Sequence, residues 1–519
     1  MQNKYLLNII PRDYQENIFE KIKDKNSLVV LPTGIGKTLI ALMLTIYRME
    51  KYPLQKIVFL APTRPLAEQH FEYFKKHLPD LFAQMDLFTG KIVSENRKKI
   101  WNHAEIIFST PQCIANDLEK NMYNLSEVSL LIEDEVHRCV KNYAYTFVAK
   151  KYRAQAEFPQ LLGLTASPGS DKKSIKTICE NLAINHVEIR TRESPDVVPY
   201  IQELEIQTIK VPFPKKFDEI RILLKQIYQK NTDYLKIKNL IQGPANKITL
   251  LQCQTRLFNI LKSNSKNPSL FLGISRCAQA LKISHALDLL ETQTLYSLNC
   301  YFEKLQEQAR QDQSKAVKNI IASAEFTQSL NLLNELLSKK LEHPKLLELK
   351  SIIKDKISEN KKARIIVFAQ FRDSVNCISK ELNKIKNVKS EVFIGQAKKA
   401  GSGLSQKEQM QIIRNFSSGK FNILIATSIG EEGLDIPEVN AVIFYEPVPS
   451  AIRKIQRAGR TARLMSGELI MLITKDTKDE GTYWSAHHKE KKMHNAIKDI
   501  NQDLKSGKLN FNNKQKELL

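Results

Sequence analysis

Two short segments carry residues whose types and spacing point to phosphoryl chemistry: Leu31-Pro32-Thr33-Gly34-Ile35-Gly36-Lys37-Thr38, and Gln456-Arg457-Ala458-Gly459-Arg460-Thr461-Ala462-Arg463. In the first, Thr33, Gly34 and Gly36 form a loop whose backbone N–H groups can turn onto phosphate oxygens. Lys37 adds a point charge at the β- and γ-phosphates, and the Thr38 hydroxyl can ligate Mg²⁺. In the second, Arg460 and Arg463 stand three apart, on one helical face, where guanidinium groups can spread positive charge over a transferring phosphoryl group. Gln456 opens the same segment. Together they predict ATP held in a cleft between two lobes, with hydrolysis dependent on closure of the cleft.

Asp134-Glu135-Val136-His137 follows the apolar run 128–133 and so sets two carboxylates at a strand tip. There Asp134 can hold Mg²⁺, directly or through water, and Glu135 can take a proton from an attacking water. His137 reads as a coupling residue and not as a metal ligand. The ten histidines show no metal-ligand spacing with Cys or Glu.

Positioning these groups requires strands that end beside one another. Apolar runs at 28–31, 56–61, 105–109, 128–133, 161–164 and 186–189 alternate with amphipathic stretches, as buried parallel strands alternate with helices. A second series runs 364–369, 390–394, 422–426, 441–445 and 468–473. The fold expected is α/β: two parallel-sheet lobes, at 1–200 and 346–499, each with functional loops at the carboxyl ends of its strands. Between them, 201–345 reads as an all-α insert, and 500–519 as a polar, frayed tail.

The formal net charge is +23, which favours a polyanionic partner. Within 221–280 ten Lys/Arg face a single acidic residue, Asp233, and such clustering favours a surface that tracks a nucleic-acid backbone. The seven cysteines are scattered, odd in number and never paired as CxxC, which argues against a disulfide framework or a zinc site and for the reducing cytoplasm. No apolar run reaches the roughly 18–20 residues of a membrane span, and the first thirty residues carry no signal-peptide pattern.

The order and spacing of Pro32 to Thr38, Asp134 to His137, Thr165-Ala166-Ser167 and 456–463 resemble those of superfamily 2 helicases. The resemblance implies two RecA-like lobes and roles for further residues. Arg12 and Gln15, in Arg12-Asp13-Tyr14-Gln15, match the adenine-reading motif. Thr63 and Arg64, Thr89, and Thr110 match loops that hold a nucleic-acid backbone in the first lobe. Gln370, Arg372 and Thr427 match their counterparts in the second, Asp435 a nucleotide contact, and Thr165 and Ser167 the loop that couples hydrolysis to movement.

Gly403-Leu404-Ser405-Gln406, Gly430-Glu431-Glu432-Gly433-Leu434-Asp435-Ile436-Pro437, Tyr445-Glu446-Pro447-Val448-Pro449-Ser450 and His285-Ala286-Leu287-Asp288-Leu289-Leu290-Glu291-Thr292-Gln293 narrow the likeness to archaeal Hef helicases, relatives of the FANCM group. That resemblance implies a thumb-like insert engaging branched DNA, with replication or repair proteins as partners. The Glu-Arg-Lys triplet of the nuclease domain that many Hef proteins carry is missing, so nuclease activity is expected only from a separate subunit or from chain beyond this sequence. Ala462 stands where the family has Gly, and Val136 where relatives often have Ala; both exchanges leave Arg463 and His137 available.

The expected activity is an ATP-dependent DNA translocase acting on forked or branched DNA. An RNA track is an alternative, because backbone contacts of this kind leave no local signature of the sugar. An ATP-gated DNA-binding scaffold is a second, opposed by the presence of Lys37, Glu135, Arg460 and Arg463 together.

Overall fold

The computed structural model describes residues 4–140, 143–169, 172–200, 204–262, 268–395, 403–427, 437, 439–448, 467–506 and 508. The first sheet is built from β1 (Ser27–Val30), β2 (Lys56–Leu60), β3 (Met85–Phe88), β4 (Ile106–Ser109), β5 (Val128–Asp134), β6 (Leu161–Thr165) and β7 (His186–Ile189). They lie in the order β3-β4-β2-β5-β6-β1-β7, every pair parallel. β1, β2, β4, β5 and β6 are buried at every position, which is why they read as continuous apolar runs. β3 was not legible in that way: it lies at the sheet edge and is only half-buried over three of its four residues.

The second sheet holds β8 (Leu204–Val211), β9 (Ile365–Phe368), β10 (Ser390–Phe393), β11 (Ile423–Ala426), β12 (Ala441–Phe444) and β13 (Gly467–Thr474). Its order is β10-β11-β9-β12-β13-β8, again all parallel. β8 corrects the expected boundary at 201. It pairs with β13 along its whole length, so the chain enters the second sheet before it enters the insert. As an outer strand with Ile206 exposed, β8, like β3, lacks the apolar run by which the buried strands announce themselves.

The insert itself is helical, through Lys215–Ile237, Lys247–Lys262, Pro268–Thr292, Leu295–Arg310, Lys315–Ile321 and Ala324–Ser338. Phe217, Ile220 and Leu224 recur at helical spacing and pack on Ile283, Leu290, Phe302 and Phe326 to give it a core of its own. Thr294 and Ser323 cap two of its helices by accepting from Ser297 N and Phe326 N. In the second lobe, Ser405 and Glu408 form a reciprocal capping box at the start of the helix Gln406–Ser417.

The turn after Thr292 is where the insert meets the second lobe. Gln293 donates to Glu446 Oε2 at 3.1 Å and accepts from the Ser374 hydroxyl at 2.7 Å, which in turn lies 2.9 Å from the Ser297 hydroxyl. His343 contacts Glu291 O through Nε2 and accepts from Lys345 N through Nδ1, while Lys345 Nζ donates to Thr292 O and pairs with Asp479.

The described chain continues beyond the second lobe. A helix over Lys478–Lys505 leaves it after β13 and seats Met493, Ala496, Ile497 and Ile500 in the core of the first lobe, among Ile175, Cys179, Leu182 and Val187. Residues 500–505, expected as tail, are thus the last turns of a helix, with Ile500 fully buried.

Candidate nucleotide site and nucleic-acid loops

β1 delivers the phosphate loop. Gly34 (φ +86°) and Gly36 (φ +81°) take left-handed backbone, the conformation that glycine adopts without steric cost, and the helix Lys37–Lys51 starts directly after them. Its N-terminal N–H groups and dipole face the loop, as an anion requires. A Cβ on Gly36 would displace the amide end of Gln15, and the positive φ would strain any larger residue there. Gln15 is itself buried. Its Oε1 accepts from Arg12 N at 2.9 Å and its Nε2 lies 3.4 Å from the carbonyls of Ile35 and Gly36. Tyr14 adds a bond to Ile35 O at 2.6 Å. In this arrangement the motif expected to read adenine clamps the loop backbone, and Arg12 packs on Tyr200, donating to its carbonyl at 3.2 Å.

Lys37 Nζ donates to Leu31 O at 3.1 Å, folding back over the loop. Asp134, at the tip of β5, accepts from His70 Nε2 at 2.9 Å, while His70 Nδ1 lies 3.5 Å from the Thr38 hydroxyl. A proton on Nε2 leaves Nδ1 as an acceptor in the neutral ring, so one imidazole can order both groups expected to hold Mg²⁺. Burial would push the Asp134 carboxyl up, but the His70 bond and the charge of Lys37 hold it below the usual carboxylate range. One residue earlier, burial pushes the Glu133 carboxyl well up. Adjacent carboxyl groups on opposite faces of one strand are therefore shifted in opposite directions.

Glu135 has φ +51°, an outlier that costs a non-glycine residue about 1–3 kcal/mol and turns the chain off the strand into the short turn Val136–Arg138. His137 Nδ1 lies 3.2 Å from Glu135 Oε2 and 3.4 Å from the Thr165 hydroxyl. Thr165 accepts from Ser167 N and donates to Ser167 O, each at 3.1 Å. Of the residues expected to couple, His137 thus lies against Glu135, Thr165 against His137, and Ser167 against Thr165.

Thr33, Thr38 and Asp134 fit a nucleotide with its metal. Thr33 Oγ1 is buried and has no hydrogen-bond partner among the described residues, which suits a donor held for an incoming oxygen. Asp435, Gln456, Arg460 and Arg463 lie outside the described residues.

The first-lobe loops expected to hold a nucleic-acid backbone follow β2, β3 and β4. Thr63 and Thr110 each stand immediately before a helix, Arg64–His77 and Pro111–Glu119. Thr63 Oγ1, like Thr33 Oγ1, is buried with no partner among the described residues. Arg64 sits 3.9 Å from Glu68. Beside Thr89 lies a buried ion pair that sequence did not flag: Arg97 Nε donates to Asp117 Oδ2 at 2.6 Å, and Arg97 also reaches Thr89 O at 3.4 Å. In the second lobe Gln370 is exposed, Arg372 donates to Gly395 O at 3.2 Å, and Thr427 is buried at the end of β11.

Three residues completing the site were missed in sequence: His70, Arg97 and Tyr145, whose hydroxyl donates to Asp134 O at 2.7 Å. None lies in a recognisable motif. His70 is two helical turns beyond Thr63, and only packing of that helix on the sheet brings it to Asp134.

Comparison with known proteins matches residues 8–170 to the family described as type III restriction enzyme, res subunit, and 344–465 to the helicase conserved C-terminal domain. Residues 216–343 match the helical bundle of putative ATP-dependent RNA helicases. The crystal structure of the Pyrococcus furiosus Hef helicase domain superposes with a TM-score of 0.71 at 42% identity, covering 92% of this chain and 98% of that one. The chain belongs to the Hef helicase family. A putative ATP-dependent RNA helicase of Methanocaldococcus jannaschii is 39% identical over 94% of this chain and 61% of its own length. The Fanconi anemia group M protein homolog of Mus musculus is 32% identical over 96% of this chain, and the ATP-dependent DNA helicase mph1 of Neurospora crassa 32% over 92%. The chain spans only 26% and 42% of those two proteins. The Hef architecture accounts for the helical insert between two RecA-like lobes. Among the described residues no helix is long and apolar enough to cross a membrane.

Proposed function

We propose that this Hef-type chain is an ATP-dependent DNA translocase that remodels strands at forked or branched DNA. The observation that carries this is the convergence, at the carboxyl ends of parallel strands, of Lys37, Asp134 and Glu135 with the coupling residues His137, Thr165 and Ser167. Mg²⁺ held by Thr38 and Asp134 would neutralise charge at the β- and γ-phosphates. Glu135 orients and deprotonates water, and His137 holds that carboxylate against the Thr165-Ala166-Ser167 loop. Thr63, Arg64, Thr89 and Thr110 line the same strand ends, where they would grip phosphates, reading backbone and not base sequence. The basic insert would add contacts to the branch. Asp435 and the arginines Arg460 and Arg463, with Gln456, would close on the nucleotide from the second lobe, and a separate nuclease subunit would cut what the motor exposes.

An RNA track is the second reading, favoured by the Methanocaldococcus relative and the insert's family, both named as putative ATP-dependent RNA helicases. Steady-state ATPase against matched single-stranded, duplex, forked and four-way DNA and the RNA equivalents, at one fixed salt concentration, separates the two. The DNA reading expects the largest stimulation by forked or four-way DNA. Greater stimulation by RNA moves the chain to the second reading, and binding without stimulated turnover points to the ATP-gated scaffold. Lys37→Ala should abolish turnover with the fold retained, and Glu135→Gln should still bind ATP but hydrolyse it very slowly; a folded Lys37→Ala protein with wild-type turnover would refute the site.

A further inference from the structure

The Thr165-Ala166-Ser167 loop has a contact outside its own lobe. The Ser167 hydroxyl, buried, donates to the sulfur of Met493 at 2.7 Å, and Met493 belongs to the helix Lys478–Lys505. That helix begins elsewhere. Lys478 Nζ bridges both oxygens of Asp288 in the insert at 2.7 and 2.8 Å, and Lys478 N reaches Glu291 Oε2 at 3.3 Å. Asp479 pairs with Lys345 and accepts from Thr474 N at the end of β13. At a rise of 1.5 Å per residue, Met493 lies about 22 Å along the helix from Lys478. Met493, Ala496, Ile497 and Ile500 recur on one helical face, and it is this face that enters the first lobe's core.

We propose that Met493 is a positioning residue for the coupling loop, and that the C-terminal helix is the rod through which the insert and second lobe set that loop's position. The inference rests on the translocase reading above. A continuous series of contacts joins Met493 to Ser167, Thr165, His137 and Glu135. Movement of the insert on DNA is carried along a rigid element to the residue that holds the water-activating carboxylate, and closure of the nucleotide site is carried back. A thioether suits this position: it is flexible enough to stay in contact as the helix shifts, and its weak acceptor orients the Ser167 hydroxyl without locking it.

The test reads strands displaced per ATP hydrolysed on a forked DNA, which a purely structural role would leave unchanged. Met493→Ala lowers that ratio about tenfold, within the ordinary span of inter-site coupling. Met493→Leu, which keeps the volume and so the fold, lowers it at least about twofold. Ser167→Ala combined with Met493→Ala is no worse than the more impaired single variant, because the two residues act through one contact. Wild-type ratios in both Met493 variants, or additive losses in the double variant, overturn the proposal. A second measurement stands apart from the motor reading: hydrogen exchange over 486–500 with and without the Mg²⁺ complex of adenylyl-imidodiphosphate. Nucleotide should slow exchange there in wild type and not in Met493→Leu. If no nucleic acid stimulates turnover but this slowing is seen, the translocase reading falls and the rod stands; if nucleotide leaves the segment unchanged, the rod falls.

Discussion

The two joints that hold the domains together are made of different chemistry. Where the insert meets the second lobe, Gln293, Glu446, Ser374, Ser297, His343, Lys345 and Asp479 form a buried polar cluster of directed bonds. Where the C-terminal helix meets the first lobe, the contact is mainly an apolar ridge of Met493, Ala496, Ile497 and Ile500, with the Ser167–Met493 bond and the exposed Lys172–Asp503 pair beside it. Directional hydrogen bonds in a low-dielectric interior favour one arrangement and penalise every other, whereas apolar contact is non-directional and survives small shifts. The polar joint therefore favours one arrangement of insert and second lobe, whereas the apolar ridge tolerates small shifts of the helix on the first lobe.

That comparison breaks most visibly at the pair Lys345–Asp479, where both side chains are almost wholly buried. Asp479→Ala strands the Lys345 charge and should cost roughly 3–5 kcal/mol, read as a lowered midpoint in chemical denaturation. At the apolar joint, Ile500→Ala should cost about 2–5 kcal/mol, with a smaller loss if the ridge slides to fill the gap. An equal response of first-lobe and second-lobe probes to both substitutions would show that the joints do not differ.

The polar joint also carries a pH dependence. Burial, then the charge of Lys345, lowers the His343 pKa to about 3, and the bonds it makes need the neutral ring. The unfolded chain takes up this proton near pH 6.5 and the folded chain only near 3. Stability from His343 is therefore full above about 6.5 and is lost progressively as pH falls towards 3. From pH 7 to pH 5 the loss is about 2 kcal/mol, and His343→Gln should flatten that segment of the profile. The smallest effect is expected at Lys172–Asp503, an exposed pair 2.8 Å apart at the far end of the helix Lys478–Lys505. Lys172→Ala should change stability by less than about 0.5 kcal/mol and leave displacement per ATP unchanged.

Legibility in the sequence followed burial in most strands, although the partly exposed edge strand β10 is legible as well. Strands buried on both faces, such as β5 and β6, appear as unbroken apolar runs, but the outer strands β3 and β8 need only one dry face and carry no such run. Loops whose chemistry is local, Gly34 and Gly36 before Lys37 or Asp134 beside Glu135, could be read because glycine, lysine and paired carboxylates have few other reasons to stand together at a strand end. His70 and Arg97 could not, since each is one polar residue on a helix and its meaning is supplied by a partner 64 or 20 residues away.

The sequence alone determined the α/β class, the phosphate loop, the carboxylate pair and the basic insert, because each rests on short-range spacing or composition. Only the tertiary structure decided that β8 belongs to the second sheet and that Gln15 clamps the loop. It alone brings His70 between Thr38 and Asp134 and returns the last helix to the first lobe against Ser167. Those are contacts between segments far apart in the chain, chosen by which faces remain to be buried once the sheets have formed, and no local pattern records that choice.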